Sequence, residues 1–250
     1  KIIEDASHAI GAEYSGKEKG KRKKEKWYKV GSCAHSDMTV FSFHPVKHIT
    51  TGEGGAVTTN SRKLYDKLRA LRTHGICKPA DMLRKEGPWY YEMRDLGFNY
   101  RITDLQCALG ISQLSKLGSF IRKRREIAAL YDKAFSGMDG VEVPPRPEGK
   151  KHVYHIYVLR IDFGKFDTTR KEVMAALRRE GVLAQVHYIP VYRQPFYRKN
   201  VVPVGFELER AEEYYEKAVS IPIYPSMTKD DVRKVVSAVK KCLRRQGRIK

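Results

Sequence analysis

One lysine lies between an aromatic run and a glycine-rich turn, in the segment FSFHPVKHITTGEGG at residues 41–55. A lysine amine is protonated near neutral pH and becomes a nucleophile only where its surroundings lower its pKa. Apolar residues and potential cations flank Lys47, and both kinds of neighbour favour the uncharged amine. A lone loop lysine is usually an ordinary surface residue, but this one is a candidate for a Schiff base with a carbonyl compound.

Two further side chains match a pyridoxal-phosphate site, which needs such a lysine, a carboxylate at the pyridine nitrogen and donors for the phosphate. Asp5 ends the segment KIIED, residues 1–5, which predicts a buried strand that ends in an acid. An ionised carboxylate there would keep the ring nitrogen protonated, although an acid at this place can also simply cap the next turn. Ser42 follows a predicted strand over 38–41 and precedes Lys47 by five residues. Its hydroxyl is a plausible phosphate donor.

The elements that must position these residues alternate between strands and helices, which predicts an α/β architecture. Helices are predicted after the capping residues Ser61, Thr103, Thr169 and Thr228, with a further separate helix over 119–135. Strands are predicted over 12–14, 38–41, 56–59, 152–161 and 182–188. Two segments, 17–29 and 77–96, are predicted to be loops. The first is rich in lysine, so it is either a phosphate- or nucleic-acid-binding patch or a solvated loop, and we favour the second.

Several motifs, taken in chain order, resemble the DegT/DnrJ/EryC1/StrS family of sugar aminotransferases. They are EDASHAIG at 4–11, SFHPVK at 42–47 with TTGEGG at 50–55, GFNYR at 97–101, AQVHYIP at 184–190 and SIPIYP at 220–225. The resemblance extends over nearly the whole chain. It implies an α/β, fold-type I, pyridoxal-phosphate-dependent aminotransferase with an incomplete large α/β/α domain and a smaller C-terminal α/β domain.

The resemblance also implies domain boundaries. Residues 1–117 would form the C-terminal part of the cofactor-binding large domain, 118–135 a connecting helix and 136–250 the small domain. A family member ordinarily carries a further N-terminal portion that helps to hold the cofactor phosphate. The chain begins with Lys1, so we expect a fragment or a shortened gene product, and we expect residues 1–250 alone to bind the cofactor weakly.

By the same resemblance, four residues would bind the cofactor of their own subunit. Lys47 would hold it and act on the substrate as general base and then acid. Asp5 would meet the pyridine nitrogen, Ser42 the phosphate, and His8 the ring and its 3-hydroxyl. A structural role for His8 is an equally good interpretation.

Four other residues receive roles on the same basis. Asn99 would reach the cofactor phosphate of a neighbouring subunit, which implies a homodimer with a composite active site. Arg101, His187 and Tyr188 would bind substrate, with His187 directed toward the phosphates of a nucleotide sugar. The alternatives are a turn asparagine, an arginine paired with an acid, and two core residues of a strand.

The implied reaction transfers an amino group from an amino acid, glutamate in most of the family, to the 4-keto carbon of a nucleotide-linked sugar. The segments FHPVKHITT and LAQVHY most resemble the branch that aminates a UDP-linked 4-keto-6-deoxy-N-acetylhexosamine on the way to pseudaminic acid. An inactive family member that only dimerises or binds a partner is an alternative.

Composition limits the other classes of protein. With 49 basic and 29 acidic residues, the net charge is +20. This charge permits nucleic-acid binding, but no binding motif accompanies it, so we predict a solvated basic surface and no nucleic-acid partner. The four cysteines form no CxxC motif, so neither a metal site nor a disulfide framework is predicted. No apolar run is long enough for a membrane span and no signal peptide opens the chain, so the expected location is the cytoplasm.

Overall fold

The structure is a computed structural model that describes residues 1–17, 25–201 and 208–244. It divides into two compact units, Lys1–Gly118 with Gly149–Val153 and Ser119–Glu148 with Tyr154–Lys250. We call these the N-terminal unit and the C-terminal unit. The predicted division into domains 1–117, 118–135 and 136–250 stays a prediction.

Eleven strands and seven α-helices form the described structure. The strands are β1 (Ile3–Asp5), β2 (Glu13–Lys17), β3 (Glu25–Lys29), β4 (Met38–Ser42), β5 (Gly55–Thr58), β6 (Ile76–Cys77), β7 (Glu92–Met93), β8 (Val141–Glu142), β9 (Lys150–Lys151), β10 (Tyr157–Ile161) and β11 (Ala218–Ile221). The helices are α1 (Arg62–Arg72), α2 (Ala80–Glu86), α3 (Asp104–Phe135), α4 (Arg170–Arg179), α5 (Pro195–Asn200), α6 (Glu209–Lys217) and α7 (Lys229–Cys242). None of the helices in these described ranges is both long enough and apolar enough to cross a membrane.

A mixed three-stranded sheet of order β1-β4-β5 lies at the centre of the predicted site. β1 runs parallel to β4, with Asp5 opposite Val40, and β5 runs antiparallel to β4, with Gly55 opposite Ser42. The prediction of a buried first strand is wrong in its burial, because Ile3 is 61% exposed. The reason is that β1 is an edge strand of this sheet, so part of its surface faces solvent.

The predicted basic loop over 17–29 is partly a β-hairpin. β2 and β3 pair antiparallel, and the rings of Tyr14 and Tyr28 stack with their centroids 5.7 Å apart. Aromatic pairs across strands stabilise such hairpins, which explains why β3 forms in this lysine-rich stretch. Residues 18–24, which carry much of the predicted basic patch, lie outside the described residues.

The segment 77–96, predicted to be a loop, contains regular structure. Helix α2 begins directly after Pro79 and ends at Gly87, whose φ of 116° favours glycine. β7 then pairs with β6. The composition suggested a loop because proline and glycine are frequent here, yet both lie at the helix ends, where they are well tolerated.

The two helices predicted over 103–117 and 119–135 are one continuous helix, α3, of 32 residues. Gly118 does not interrupt it. A glycine inside a helix costs about 1 kcal/mol relative to alanine, and burial of Ile127, Tyr131 and Phe135 on the same helix outweighs that cost.

The C-terminal unit has its own core between a sheet of order β11-β10-β8 and three helices, the second half of α3, α4 and α7. The capping boxes predicted at Thr169 and Thr228 are confirmed, since each hydroxyl accepts from the backbone N–H three residues later. The periodic burial of Val232, Val235 and Val239 on α7 agrees with the predicted apolar face.

Two predicted strands in this unit are wrong in extent. β10 begins only at Tyr157, because the carbonyls of Tyr154 and His155 accept from the Arg124 guanidinium and not from a neighbouring strand. The segment 182–188 makes a single bridge, from Gln185 to Ser220, on the edge of β11 opposite to β10.

Candidate active site

A tight turn after β4 presents Lys47. The Lys47 backbone N–H donates to the His44 carbonyl at 2.9 Å, which closes a four-residue turn with Pro45 in its second position. Proline favours that position because its φ is already fixed near the required value. The Val46 N–H donates to His44 Nδ1 at 3.3 Å. Bonds between residues close in sequence therefore determine the position of Lys47. Its side chain is half-buried.

The glycine-rich turn fastens this segment to the end of β5. Phe43 donates its N–H to the Gly54 carbonyl at 2.8 Å and accepts from the Thr51 N–H at 3.0 Å. A Cβ at Gly55 would lie 2.7 Å from the Phe41 carbonyl oxygen, so this close approach of two strands requires glycine. The close packing of β5 against β4 thus explains why a glycine follows the lysine turn at position 55.

Helix α3 supports the same turn from its first residues. The Gln106 side-chain amide donates to the Glu53 carbonyl at 2.9 Å. Gln106 also completes the predicted capping box with Thr103, which is confirmed. His48 lies beneath the turn, only 3% exposed, with its Nε2 at 3.1 Å from the Val153 carbonyl. The sequence analysis gave neither Gln106 nor His48 a role in the site.

Asp5 lies at the end of β1 and is held by Ser7. The Ser7 hydroxyl and N–H both donate to Asp5 Oδ1, at 2.6 and 3.0 Å. These bonds lower the pKa of Asp5, the hydroxyl most, and the charges of His8 and Lys47 lower it further. Asp5 is therefore ionised at neutral pH. Ser7 is a site residue that the sequence analysis missed, although an acid followed two residues later by serine is a known local hydrogen-bonding pattern.

Lys47 and Asp5 are close enough to influence each other's ionisation. Burial lowers the pKa of the Lys47 amine, and the negative charge of Asp5 partly opposes this effect. The net direction is downward, so a larger fraction of the amine is uncharged than in a solvated lysine. This is the direction that a nucleophilic lysine requires.

Ser42 and His8 lie beside these two residues. Ser42 is the last residue of β4, half-buried, and its Oγ accepts from the His44 N–H at 3.4 Å, which leaves the hydroxyl proton for another acceptor. His8 is half-buried and acts electrostatically on Asp5. The structure thus brings Asp5, His8 and Lys47 together and places Ser42 at the end of the neighbouring strand.

Asn99 and Arg101 belong to the same unit but are exposed. Their segment is fixed to the end of α1, where the Phe98 N–H donates to the Leu71 carbonyl at 2.7 Å and the Tyr100 N–H donates to the Arg72 carbonyl at 2.9 Å. Asn99 therefore has a defined backbone position and a side chain on the surface.

His187 and Tyr188 lie in the C-terminal unit. His187 Nδ1 is 2.8 Å from the Ser220 hydroxyl, and Ser220 is only 5% exposed. The rings of Tyr188 and His187 meet edge-on with their centroids 4.6 Å apart, and Tyr188 is 59% exposed. The pair has a fixed, partly buried histidine and an accessible phenol.

Comparison with known proteins identifies the family. Residues 1–240 match the family model described as the DegT/DnrJ/EryC1/StrS aminotransferase family. The chain belongs to this family. Among DegT/DnrJ/EryC1/StrS relatives, it is 40% identical over 232 residues to the UDP-4-amino-4,6-dideoxy-N-acetyl-beta-L-altrosamine transaminase of Campylobacter jejuni, covering 93% of this chain and 56% of that protein.

Solved structures agree with this assignment. The aminotransferase PseC of Helicobacter pylori, involved in biosynthesis of pseudaminic acid, superposes with a TM-score of 0.81 at 31% identity, covering 96% of this chain and 59% of that chain. A putative sugar aminotransferase of Streptococcus pneumoniae, Spr1654 in its PMP form, gives a TM-score of 0.79 at 25% identity, covering 96% and 58%. The predicted family and the predicted α/β, fold-type I architecture are therefore confirmed.

The match covers part of the relatives' length. The chain spans between 56 and 59% of the curated DegT/DnrJ/EryC1/StrS relatives that it matches. The roles of the individual site residues stay predictions.

Proposed function

We propose that this chain carries the lysine of a pyridoxal-phosphate-dependent nucleotide-sugar aminotransferase. The proposed reaction moves an amino group from an amino acid, glutamate, to the 4-keto carbon of a UDP-linked 4-keto-6-deoxy sugar. The observation that carries the proposal is the half-buried Lys47 within electrostatic reach of an ionised Asp5. The printed name of the Campylobacter jejuni relative supports a UDP-linked amino sugar as the substrate class.

The residues present fit pyridoxal phosphate. Asp5 would hold the proton on the pyridine nitrogen, because Ser7 occupies only its Oδ1 and keeps it ionised. Ser42 would donate to the phosphate, and His8 would lie against the ring. When bound, the cofactor supplies a carbonyl that takes up amino groups and a ring that withdraws electrons from the adjoining carbon.

Lys47 would move the proton of the substrate. Its Nζ is uncharged more often than a solvated amine because burial lowers its pKa, so it can accept a proton at one carbon and return it at another. The His44–Lys47 turn and the two backbone bonds of Phe43 fix the main chain of Lys47, so Nζ would move only by rotation of its own side chain. Pre-positioning of this kind accounts for a large part of the rate in such proton transfers.

The substrate and partner residues complete the proposal. A diphosphate sugar suits His187, Tyr188 and Arg101, since each can donate to a phosphate oxygen. A second copy of the chain would supply Asn99 and make the active site composite. The exposed apolar residues near Asn99 support such an interface, because patches of this kind usually mark one; they are Leu96, Phe98, Tyr100 and Leu105, at 83, 54, 70 and 82% exposure.

The test is to locate the lysine that binds the cofactor. The chain is incubated with pyridoxal phosphate, reduced with borohydride and mapped by mass spectrometry. We expect the pyridoxyl group on Lys47, with loss of that adduct in Lys47→Ala. Lys63→Ala, which removes an exposed lysine on α1, should leave the adduct unchanged. A dominant adduct at any other lysine would refute the proposal.

A further inference from the structure

The acid next to Asp5 faces away from the proposed site. Successive residues of a strand point to opposite faces of the sheet, so Glu4 and Asp5 on β1 project in opposite directions. Glu4 Oε2 accepts from the Thr39 hydroxyl at 2.8 Å, and Thr39 is fully buried on β4. Glu4 is also the residue directly opposite Thr39 in the strand pairing. A carboxylate of the edge strand is thus fastened to the middle of the neighbouring strand.

The Thr39 hydroxyl is held in turn by its surroundings. Ser36 Oγ lies 3.3 Å and Cys33 Sγ 3.5 Å from Thr39 Oγ1. A hydroxyl has one proton to give. Since that proton goes to the Glu4 carboxylate, the Ser36 hydroxyl can only donate to Thr39. The Cys33 thiol has a nearer acceptor in the Thr58 carbonyl at 3.3 Å, so the Ser36 contact is the one that orients the Thr39 proton toward Glu4.

This bond matters because the main-chain pairing of β1 is short. β1 has three residues, and backbone bonds continue the pairing at both ends: the Ala6 N–H donates to the Val40 carbonyl at 2.8 Å, and the Asp37 N–H donates to the Ile2 carbonyl at 2.9 Å. A slip of one residue would exchange the two faces of the strand. Slipped in one direction, Asp5 would lie opposite Thr39. Slipped in the other direction, Glu4 would take the place opposite Val40 that Asp5 has. Each slip replaces one acid by another, and the longer reach of Glu4 to Thr39 distinguishes the correct register.

We propose that Glu4 is a positioning residue whose bond to Thr39 fixes β1 against β4 and so sets the distance between Asp5 and Lys47. The inference rests on the proposed function of these two residues. Glu4 acts through position, since the groups that shift the pKa of Lys47 are its own burial and the charge of Asp5, with His8 facing Asp5.

The reactivity of Lys47 reports this distance without any cofactor. The rate of acetylation of Lys47 by acetic anhydride is measured against pH by mass spectrometry. Asp5→Asn should lower the midpoint by about half a pH unit, the size expected for one charge across a largely solvated gap. Glu4→Ala and Thr39→Val should lower it in the same direction by a smaller amount.

Conservative variants separate positioning from general damage. Glu4→Gln and Thr39→Ser should keep the wild-type midpoint, because an amide oxygen can still accept and a serine hydroxyl can still donate. Thr168→Val, which removes a hydroxyl bond of 3.2 Å to the Glu172 carboxylate in the C-terminal unit, is the matched control and should also keep it. Circular dichroism establishes that each variant is folded, and Thr39→Val, which conserves volume, carries the test where Glu4→Ala does not fold.

Wild-type midpoints in both Glu4→Ala and Thr39→Val would overturn the inference, as would an unchanged midpoint in Asp5→Asn. Its failure is distinct from failure of the proposed function. A pyridoxyl adduct on Lys47 together with unchanged midpoints would refute only the role of Glu4. A dominant adduct at another lysine would refute the proposed function itself.

Discussion

Replacing Ser7 with alanine should raise the pKa of Asp5 and destabilise the fold at neutral pH. The Ser7 hydroxyl donates to Asp5 Oδ1 at 2.6 Å and is the largest cause of the lowered pKa. A hydrogen bond to a charged group contributes about 1.5–3 kcal/mol. Because Asp5 is exposed, water replaces much of the lost bond, so we expect a net loss of roughly 0.5–1 kcal/mol after discounting for solvent.

The pH dependence has a definite sign. The pKa of Asp5 is lower in the folded than in the unfolded chain, so its contribution to stability is present above the unfolded value of about 3.9 and is lost as pH falls through the folded value. The difference in the free energy of unfolding between wild type and Ser7→Ala should therefore be constant near neutral pH and vanish in acid.

The assay combines denaturant unfolding at several pH values with an NMR titration of the Asp5 carboxyl carbon. Ser7→Thr retains a hydroxyl and is the matched control, for which we expect nearly wild-type values. An Asp5 titration that is identical in wild type and Ser7→Ala would show that the hydroxyl does not hold the carboxylate, and the assignment of Ser7 to the site would then be wrong.

Two further predictions concern burial and assembly. Arg124 is 4% exposed, its NH1 donates to the carbonyls of Tyr154, His155 and Ile223 at 2.8–3.0 Å, and burial lowers its pKa to about 10. Arg124→Met should lower the free energy of unfolding by about 3 kcal/mol, since buried carbonyls lose their donor; a denaturant midpoint within error of wild type would contradict this. Leu105→Glu should shift the chain toward monomer in analytical ultracentrifugation while Lys63→Ala does not, and an unchanged sedimentation profile would exclude this surface from the proposed dimer.

The predictions that succeeded depend on short-range chemistry. The capping boxes at Thr103, Thr169 and Thr228 are confirmed because each joins residues three apart, so sequence spacing alone determines the contact. The turn that carries Lys47 is equally local, with proline at its second position. The sequence therefore contained most of the information about where Lys47 stands relative to β4.

The predictions that failed depend on contacts between distant residues. The strand expected from residue 152 is shortened because the Arg124 guanidinium, some 30 residues earlier, donates to the carbonyls of Tyr154 and His155. His48 was given no role because its partner, the Val153 carbonyl, lies 105 residues away. Neither contact leaves a periodic signal in the sequence, so only the folded arrangement reveals them.

The adjacent acids at the end of β1, Glu4 and Asp5, have different roles: one holds the strand in place and the other belongs to the proposed site. Their residue types are nearly equivalent, and composition gives no reason to assign them different tasks. The alternation of the strand sends Glu4 to a buried hydroxyl and leaves Asp5 to Ser7, His8 and Lys47. Because β1 is an edge strand, its register depends more on side-chain bonds than that of a strand paired on both sides. The contact between Glu4 and Thr39, on the opposite face of the sheet, therefore sets the position of the charged carboxylate that acts on Lys47.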